Sequence, residues 1–295
     1  MSSTTLSAGL CAQLACVWEA TARKPGNVHP SCDFEDVTYL DFLHSAAAIA
    51  PILDSAQQRE LSTGQIVLEG VKATRLVAST NTNLGILLLL APMVSAVARN
   101  LKAGVEAVLA ALTVEDSRSV YEAIRLASPG GIGKVPNQDI RTEPTEPLRQ
   151  VMALAAKRDL IAMQYVNGFH EVLAEGLPAL QEGLQCAGSL EEAIIFCQLQ
   201  LLAGHPDSLI TRKRGREEAA EASRRAREVL HADWPKARAA RSALHELDDW
   251  LRAEGHQRNP GTTADLVTAC LFALLREGNM ELPLKIPFAA KDLYG

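Results

Sequence analysis

The run Leu84-Gly85-Ile86-Leu87-Leu88-Leu89-Leu90-Ala91-Pro92-Met93-Val94-Ser95-Ala96-Val97 is the longest apolar stretch of the chain, and its reading decides the fold. A bilayer-spanning helix needs about 20 consecutive apolar residues. This run is shorter and carries Pro92 in its second half, so it reads as a buried helix at the centre of a soluble protein. Asn81-Thr82-Asn83 stands immediately before it, and Asn is a favoured helix cap.

Working outward, apolar residues recur at helical spacing on both sides. Leu6, Leu10, Leu14 and Val17-Trp18 mark a first helix ending near Arg23, and residues 39–54 a second. Ser62 with Gln65 and Thr113 with an acid three residues on are capping patterns that open two more. Residues 148–169 read as one long helix, Ser189 and Glu192 cap another, and residues 216–230 and 236–253 form charged helices. Thr262-Thr263-Ala264-Asp265 opens a last one through Arg276. No strand–turn–strand pattern or fixed-period repeat appears. The expectation is an all-α fold, residues 1–295 forming a single domain with its site where helix ends converge. The Pro-, Gly- and charge-rich break at 128–147 reads as a site loop.

Composition agrees. Hydrophobic residues make up 47% of the 295 residues but aromatics only 4%, which favours Ala- and Leu-rich helices over strands. The net charge of -6 leaves no basic excess for nucleic acid. Six cysteines without a CxxC pair read as core thiols in a reducing compartment. With no leader-like start, the expected location is cytoplasmic, without a membrane partner.

Chemistry concentrates in Lys24-Pro25-Gly26-Asn27-Val28-His29-Pro30-Ser31-Cys32-Asp33-Phe34-Glu35-Asp36, between two helical segments. A cation, a Pro-Gly corner and three carboxylates suit a hard cation with its phosphate ligand, although an acidic solvated loop has the same composition. Further polar clusters also sit at helix ends. Asn81, Thr82 and Asn83 offer more than one cap needs. Ser128-Pro129-Gly130-Gly131-Ile132-Gly133-Lys134 fails the Walker pattern, with Ser at the first position and Val135 at the last. Arg158-Asp159 places charge beside an apolar face, either as a site or as a salt bridge. Arg212 and Lys213, following Asp207, suit a polyphosphate, or a solvated face. Thr262 and Thr263 begin a helix whose free amides attract anions; the alternative reading is an ordinary capping box of Thr262 with Asp265. His231, His245 and His256 have no ligand spacing.

In this order the segments resemble the triphosphoribosyl-dephospho-coenzyme A synthase family, all-helical enzymes. The likeness rests on Lys24-Pro25-Gly26, the acidic loop with Phe42 and Ser45-Ala46, Asn81-Thr82 with Gly85, Arg158-Asp159, Asp207 with Arg212, and Pro260-Gly261 leading to Ala264-Asp265-Leu266. It covers almost the whole chain. The resemblance implies transfer of the triphosphoribosyl group of ATP to a hydroxyl of dephospho-CoA, with release of adenine. Two positions depart from the family pattern. Where members carry Gly-Ala-His-x-Asp-Met, this chain has Asp33-Phe34-Glu35-Asp36-Val37, so Phe34 replaces the histidine and Asp36 is kept. The His-Lys pair after Asn81-Thr82 is Asn83-Leu84 here.

The mechanism expected from this likeness binds ATP with Mg²⁺ held by Asp33, Glu35, Asp36 and Asp265. Lys24, Arg212 and Lys213 hold the triphosphate with the corner at Gly26 and the amides near Thr262 and Thr263, while Asn81, Thr82 and Asn83 orient the nucleoside. Asp36, or else Asp159, stabilises the oxocarbenium charge and accepts the hydroxyl proton. Two alternatives stay open: another acceptor from a cofactor pathway, or a helical nucleotide-binding protein without turnover. A homo-oligomer is compatible with all three.

Overall fold

The computed structural model describes residues 6–56, 58–96, 100–128, 138–290 and 293. Among them are α1 (Ala8–Thr21), α2 (Tyr39–Ser55), α3 (Thr63–Arg75), α4 (Leu84–Ser95), α5 (Leu101–Ala111), α6 (Val114–Ala127), α7 (Leu148–Ala155) and α8 (Leu160–Asn167). A π-helical turn, Glu171–Gly176, precedes α9 (Leu177–Cys186), α10 (Leu190–Gly204), α11 (Ser208–Arg214), α12 (Arg216–His231), α13 (Arg238–Arg252) and α14 (Gly261–Arg276). The described residues contain no strand, only an isolated bridge between His29 and Cys32. The fold is all-α, as expected. No helix among them is long and apolar enough to cross a membrane. Of the break at 128–147 expected to form a site loop, residues 129–137, which hold its glycines, lie outside the described residues.

The chain divides into two units. The first comprises Met1–Val17, Leu40–His170 and Phe272–Asn279, and the second Trp18–Tyr39, Glu171–Leu271 and Met280–Gly295.

In the first unit the apolar run forms α4, with Leu87, Leu89, Leu90 and Met93 fully buried. Pro92 has no amide to give the Leu88 carbonyl one turn back, a loss that would leave a buried acceptor orphaned. The Tyr165 hydroxyl of α8 repairs it, donating to the Leu88 carbonyl at 2.7 Å. Both capping boxes close as the sequence predicts, at Ser62 with Gln65 and at Thr113 with Asp116. Asp116 goes further. Its carboxylate accepts from the Thr113 amide and hydroxyl at 2.9 and 2.8 Å and from the Gly64 amide at 2.8 Å, joining the starts of α3 and α6.

Two expectations need correction here. The helix at 148–169 is broken: Asp159 leaves the helical region (φ −141°, ψ 116°) and its Oδ1 accepts the Ile161 and Ala162 amides, so it caps α8 rather than continuing α7. Gly168, in the left-handed region, then ends α8. The helix α5 was not anticipated from the pattern. Its core face is only Leu101, Val105 and Leu109 amid alanines, and its cap is Asn100, accepting from the Ala103 amide.

In the second unit α10 packs against α9 and α12, and α12 against α11 and α13. Ile195, Leu199 and Leu202 of α10 share a core with Ala219, Ala222 and Ala226 of α12 and Leu244, Leu247 and Leu251 of α13. The small alanines let the helices approach closely. Residues 24–38 are laid over this scaffold by polar anchors. The Arg23 guanidinium pairs with the buried Glu191 carboxylate at 2.7 Å. His29 is buried inside the loop, exchanging backbone bonds with Cys32. Burial, with the cations of Arg252, Lys24 and Arg23, pushes its imidazole from 6.5 down to about 4 against the opposing pull of Glu191.

Two stability predictions follow from these anchors. Asp116→Ala removes the acceptor of the bonds from Thr113, Gly64 and Ser62 and should cost about 2–4 kcal/mol in a urea melt. Burial alone would raise the Asp116 carboxyl, but the bonds from Gly64, Ser62 and Thr113 carry it below the ordinary 3.8. Its stabilising share is therefore full above pH 3.8 and is lost as pH falls through the lower folded value. For His29 the unfolded chain takes up a proton that the folded one refuses between pH 6.5 and about 4. Unfolding free energy should thus fall by up to about 3 kcal/mol on acidification through that window. His29→Gln should flatten that slope.

Candidate functional site

The second unit gathers most of the polar residues singled out by sequence. Gly26 makes the first corner, with φ at +75°. Its amide donates to Asp248 at 2.7 Å, and the Pro25 carbonyl accepts from the Gln198 amide at 3.2 Å. Asn27 meets Asn259 of the segment before α14 at 2.8 Å, while its carbonyl accepts from Arg252 at 2.6 Å. The Lys-Pro-Gly-Asn and Asn-Pro-Gly segments are therefore adjacent, as the convergence expected from sequence requires of these two.

Lys24 takes a different position from the one its charge suggests. It is fully buried, its ammonium 2.9 Å from the Glu19 carboxylate and 2.5 Å from the Glu19 carbonyl. A buried cation is tolerable only when paired, and this one secures the entry to the loop.

Beyond His29 the loop turns outward. Asp33, Glu35 and Asp36 are exposed. Asp33 accepts the Tyr39 amide at 2.6 Å and so also serves the start of α2. The Asp36 carboxylate lies 2.9 Å from Nδ1 of His256. His256 meets the Phe34 ring edge-on at 5.5 Å, and the Arg252 guanidinium lies 5.7 Å from that ring. On α11, Arg212 is exposed, while Lys213 is half-buried and donates to the His256 carbonyl at 3.2 Å. Burial lowers the Lys213 ammonium, with Asp36 and Asp207 opposing and Arg212 reinforcing the shift.

Asp207 is fully buried at the start of α11, with Oδ1 accepting the Leu209 and Ile210 amides. Its Oδ2 accepts the amide and hydroxyl of Thr263 at 2.7 and 2.8 Å. Burial raises its carboxyl despite these donors. The Thr263 amide, expected to meet an anion, is thus engaged internally. Thr262 is buried beside it, and Asp265 is half-buried one residue beyond Ala264.

Among the described residues, no group of three or more His, Cys, Asp or Glu side chains could hold a metal ion by itself. Mg²⁺, however, is commonly held by one or two carboxylates together with phosphates and water. The exposed oxygens of Asp33, Glu35 and Asp36 have the hardness that such an ion requires.

In the first unit, Asn81 is exposed and accepts the Leu84 amide at 3.1 Å, capping α4. Thr82 is buried and shares a hydrogen bond of 2.5 Å with Ser45. The Asn83 amide donates to Thr74 at 2.8 Å, and its buried side-chain carbonyl has no partner among the described residues. Asp159 is the cap of α8.

Spacing alone missed His256, Asp248, Arg252 and Gln198. Each acts through a contact remote in sequence; the one local sign at His256 is its charged, Gly-containing turn just before Asn259-Pro260-Gly261.

The sequence pattern of the ATP:dephospho-CoA triphosphoribosyl transferase family matches residues 5–283. A protein of Pseudomonas syringae pv. tomato named "Probable 2-(5''-triphosphoribosyl)-3'-dephosphocoenzyme-A synthase" is 31% identical over 109 residues, 37% of each chain. One of the same name from Pseudomonas syringae pv. syringae is 31% identical over 133 residues, 42% of this chain and 45% of the relative. The aligned stretches thus span less than half of these relatives. A solved structure titled "Crystal structure of putative triphosphoribosyl-dephospho-coA synthase from Archaeoglobus fulgidus" superposes with a TM-score of 0.61 at 28% identity, covering 80% of this chain and 99% of that one. The chain belongs to the ATP:dephospho-CoA triphosphoribosyl transferase family.

Proposed function

We propose that this protein transfers the triphosphoribosyl group of ATP to a hydroxyl of dephospho-CoA and releases adenine. The observation that carries the reading is a charge pair held by one residue. His256 meets the exposed Asp36 carboxylate at 2.9 Å and accepts the Lys213 ammonium at 3.2 Å. Such a pair suits a substrate that joins a polyanion to a carbon at which positive charge develops. Residues 1–295 act as one functional domain in this reading, supported by a family match whose span includes parts of both units. Cytoplasmic residence belongs to it too, supported by Cys11, Cys197 and Cys270 being buried as thiols outside any disulfide.

Arg212 and Lys213 hold the triphosphate, the guanidinium through paired bonds and the ammonium as a point charge. Breaking the bond between the ribose and adenine leaves oxocarbenium character on the sugar, which the Asp36 carboxylate stabilises. Asp159 is the weaker candidate for that role, because its Oδ1 already accepts two amides at the start of α8. Lys24 and Gly26 set the path of the loop. Thr263 sets the start of α14, with Thr262 beside it. In the first unit, Asn81, Thr82 and Asn83 present the hydrogen-bonding groups that orient a nucleoside. Asp33, Glu35, Asp36 and Asp265 are the carboxylates for Mg²⁺, which when bound neutralises triphosphate charge. A second reading keeps the donor and changes the acceptor. It is favoured by Asn83-Leu84, which places no cation for a further phosphate at that corner.

Incubation with ATP, Mg²⁺ and dephospho-CoA should release adenine in proportion to acceptor; ADP or phosphate as the product would exclude transfer. Asp36→Asn should lower kcat by about 100-fold or more while leaving ATP affinity within a few-fold. Calorimetry should detect Mg²⁺ binding only when ATP is present, since the protein alone offers too few grouped ligands. Tight Mg²⁺ binding without nucleotide would reject this assignment of the metal.

A further inference from the structure

His256 stands in the turn 253–258 that follows α13. Spacing assigns it nothing, but its contacts join three elements of the second unit. Its Nδ1 is 2.9 Å from Asp36 Oδ1 in the loop 24–38, and its ring packs edge-on to Phe34 of the same loop. Its carbonyl accepts the Lys213 ammonium of α11 at 3.2 Å and the Asn259 amide at 3.3 Å. The turn that carries it is itself anchored. Arg258 bonds Glu218 of α12 and Glu254 of the turn, each at 2.6 Å, and donates to the Trp250 carbonyl at 3.2 Å.

We propose that His256 is a positioning residue of the transfer reaction: its imidazole aims the Asp36 carboxylate, while its carbonyl holds the Lys213 ammonium. One short turn thereby sets the separation between the charge that meets the ribose and the charge that meets the phosphates. This inference rests on the transferase reading above. The physical reason lies in the exposure of Asp36, whose side chain is 57% accessible whereas His256 is 29% accessible. A carboxylate on an open loop samples several rotamers, and fixing it during the reaction costs entropy. A contact of 2.9 Å with an anchored imidazole meets that cost beforehand, and small errors of aim at a reacting carbon are expensive in rate. The Phe34 ring of the same loop packs edge-to-face with the His256 ring at 5.5 Å and limits the directions the imidazole can take.

The two contacts can be separated, because side-chain substitutions remove the imidazole and leave the carbonyl. His256→Leu should therefore lower kcat for acceptor-dependent adenine release about 10- to 100-fold while KM for ATP stays within about three-fold. His256→Asn keeps a short N–H donor for the same carboxylate and should restore kcat to within about five-fold of wild type. In the Asp36→Asn background, His256→Leu should add no further loss, since the two residues act as one unit. A His256→Leu enzyme with kcat within two-fold of wild type overturns the inference. So does a His256→Asn enzyme as slow as His256→Leu, with both melting temperatures lowered alike, which marks a merely structural residue. A wild-type protein that releases no adenine overturns the transferase reading itself, a result distinct from either of these.

Discussion

Gly26 leaves no room for a side chain. An added Cβ would lie 2.8 to 2.9 Å from Leu251 and Pro260, and the residue already sits at φ +75°. The corner between Pro25 and Asn27 can therefore be made only by backbone, and everything downstream inherits its direction. Its amide is committed to Asp248, which in turn takes Arg252, which reaches back to the Asn27 carbonyl. This closed circuit ties the loop to α13. A bulkier residue at 26 would push the loop off Leu251 and Pro260 together, moving Phe34 and Asp36 with it.

The loop sorts its charges by depth. Lys24 is sealed with Glu19 and His29 is kept neutral by burial, whereas Asp33, Glu35 and Asp36 face water. A stretch that looks uniformly polar on paper is thus half anchor and half presentation surface. The inner half belongs to the stability of the second unit, and the outer half leaves three carboxylates open to solvent.

Much of the fold was legible because helix starts carry local signals. Ser62 with Gln65, Thr113 with Asp116, and Ser189 each cap the helix that their spacing announced. Asp159 misled because Asp beside an apolar run looks like a charge within a helix, while its oxygen in fact competes for two amides and starts a new one. The helix α5 escaped because alanine carries little periodic contrast. The candidate site was legible only as a set of segments. Sequence pattern brought together Lys24-Pro25-Gly26 and Asn259-Pro260-Gly261, whose contact runs through Asn27 and Asn259. It could not say which polar groups are used internally: Lys24 by Glu19, and the Thr263 amide and hydroxyl by Asp207. Nor could it find His256, whose partners stand 220 and 43 positions away by numbering, at Asp36 and Lys213.

Asp207 ends up shared between two helices. One of its oxygens collects the first amides of α11, and the other collects Thr263 near the start of α14. The short helix that carries Arg212 and Lys213 is consequently tied to the longer one through a buried carboxylate, beside the contact of Leu209 with Gly261. Warming or denaturant that frees the beginning of α14 takes the Thr263 partner from that carboxylate, while α11 keeps its packing on α12. Fraying at the start of α14 should then be felt early at the amides of Leu209 and Ile210, whose hydrogen exchange would report it.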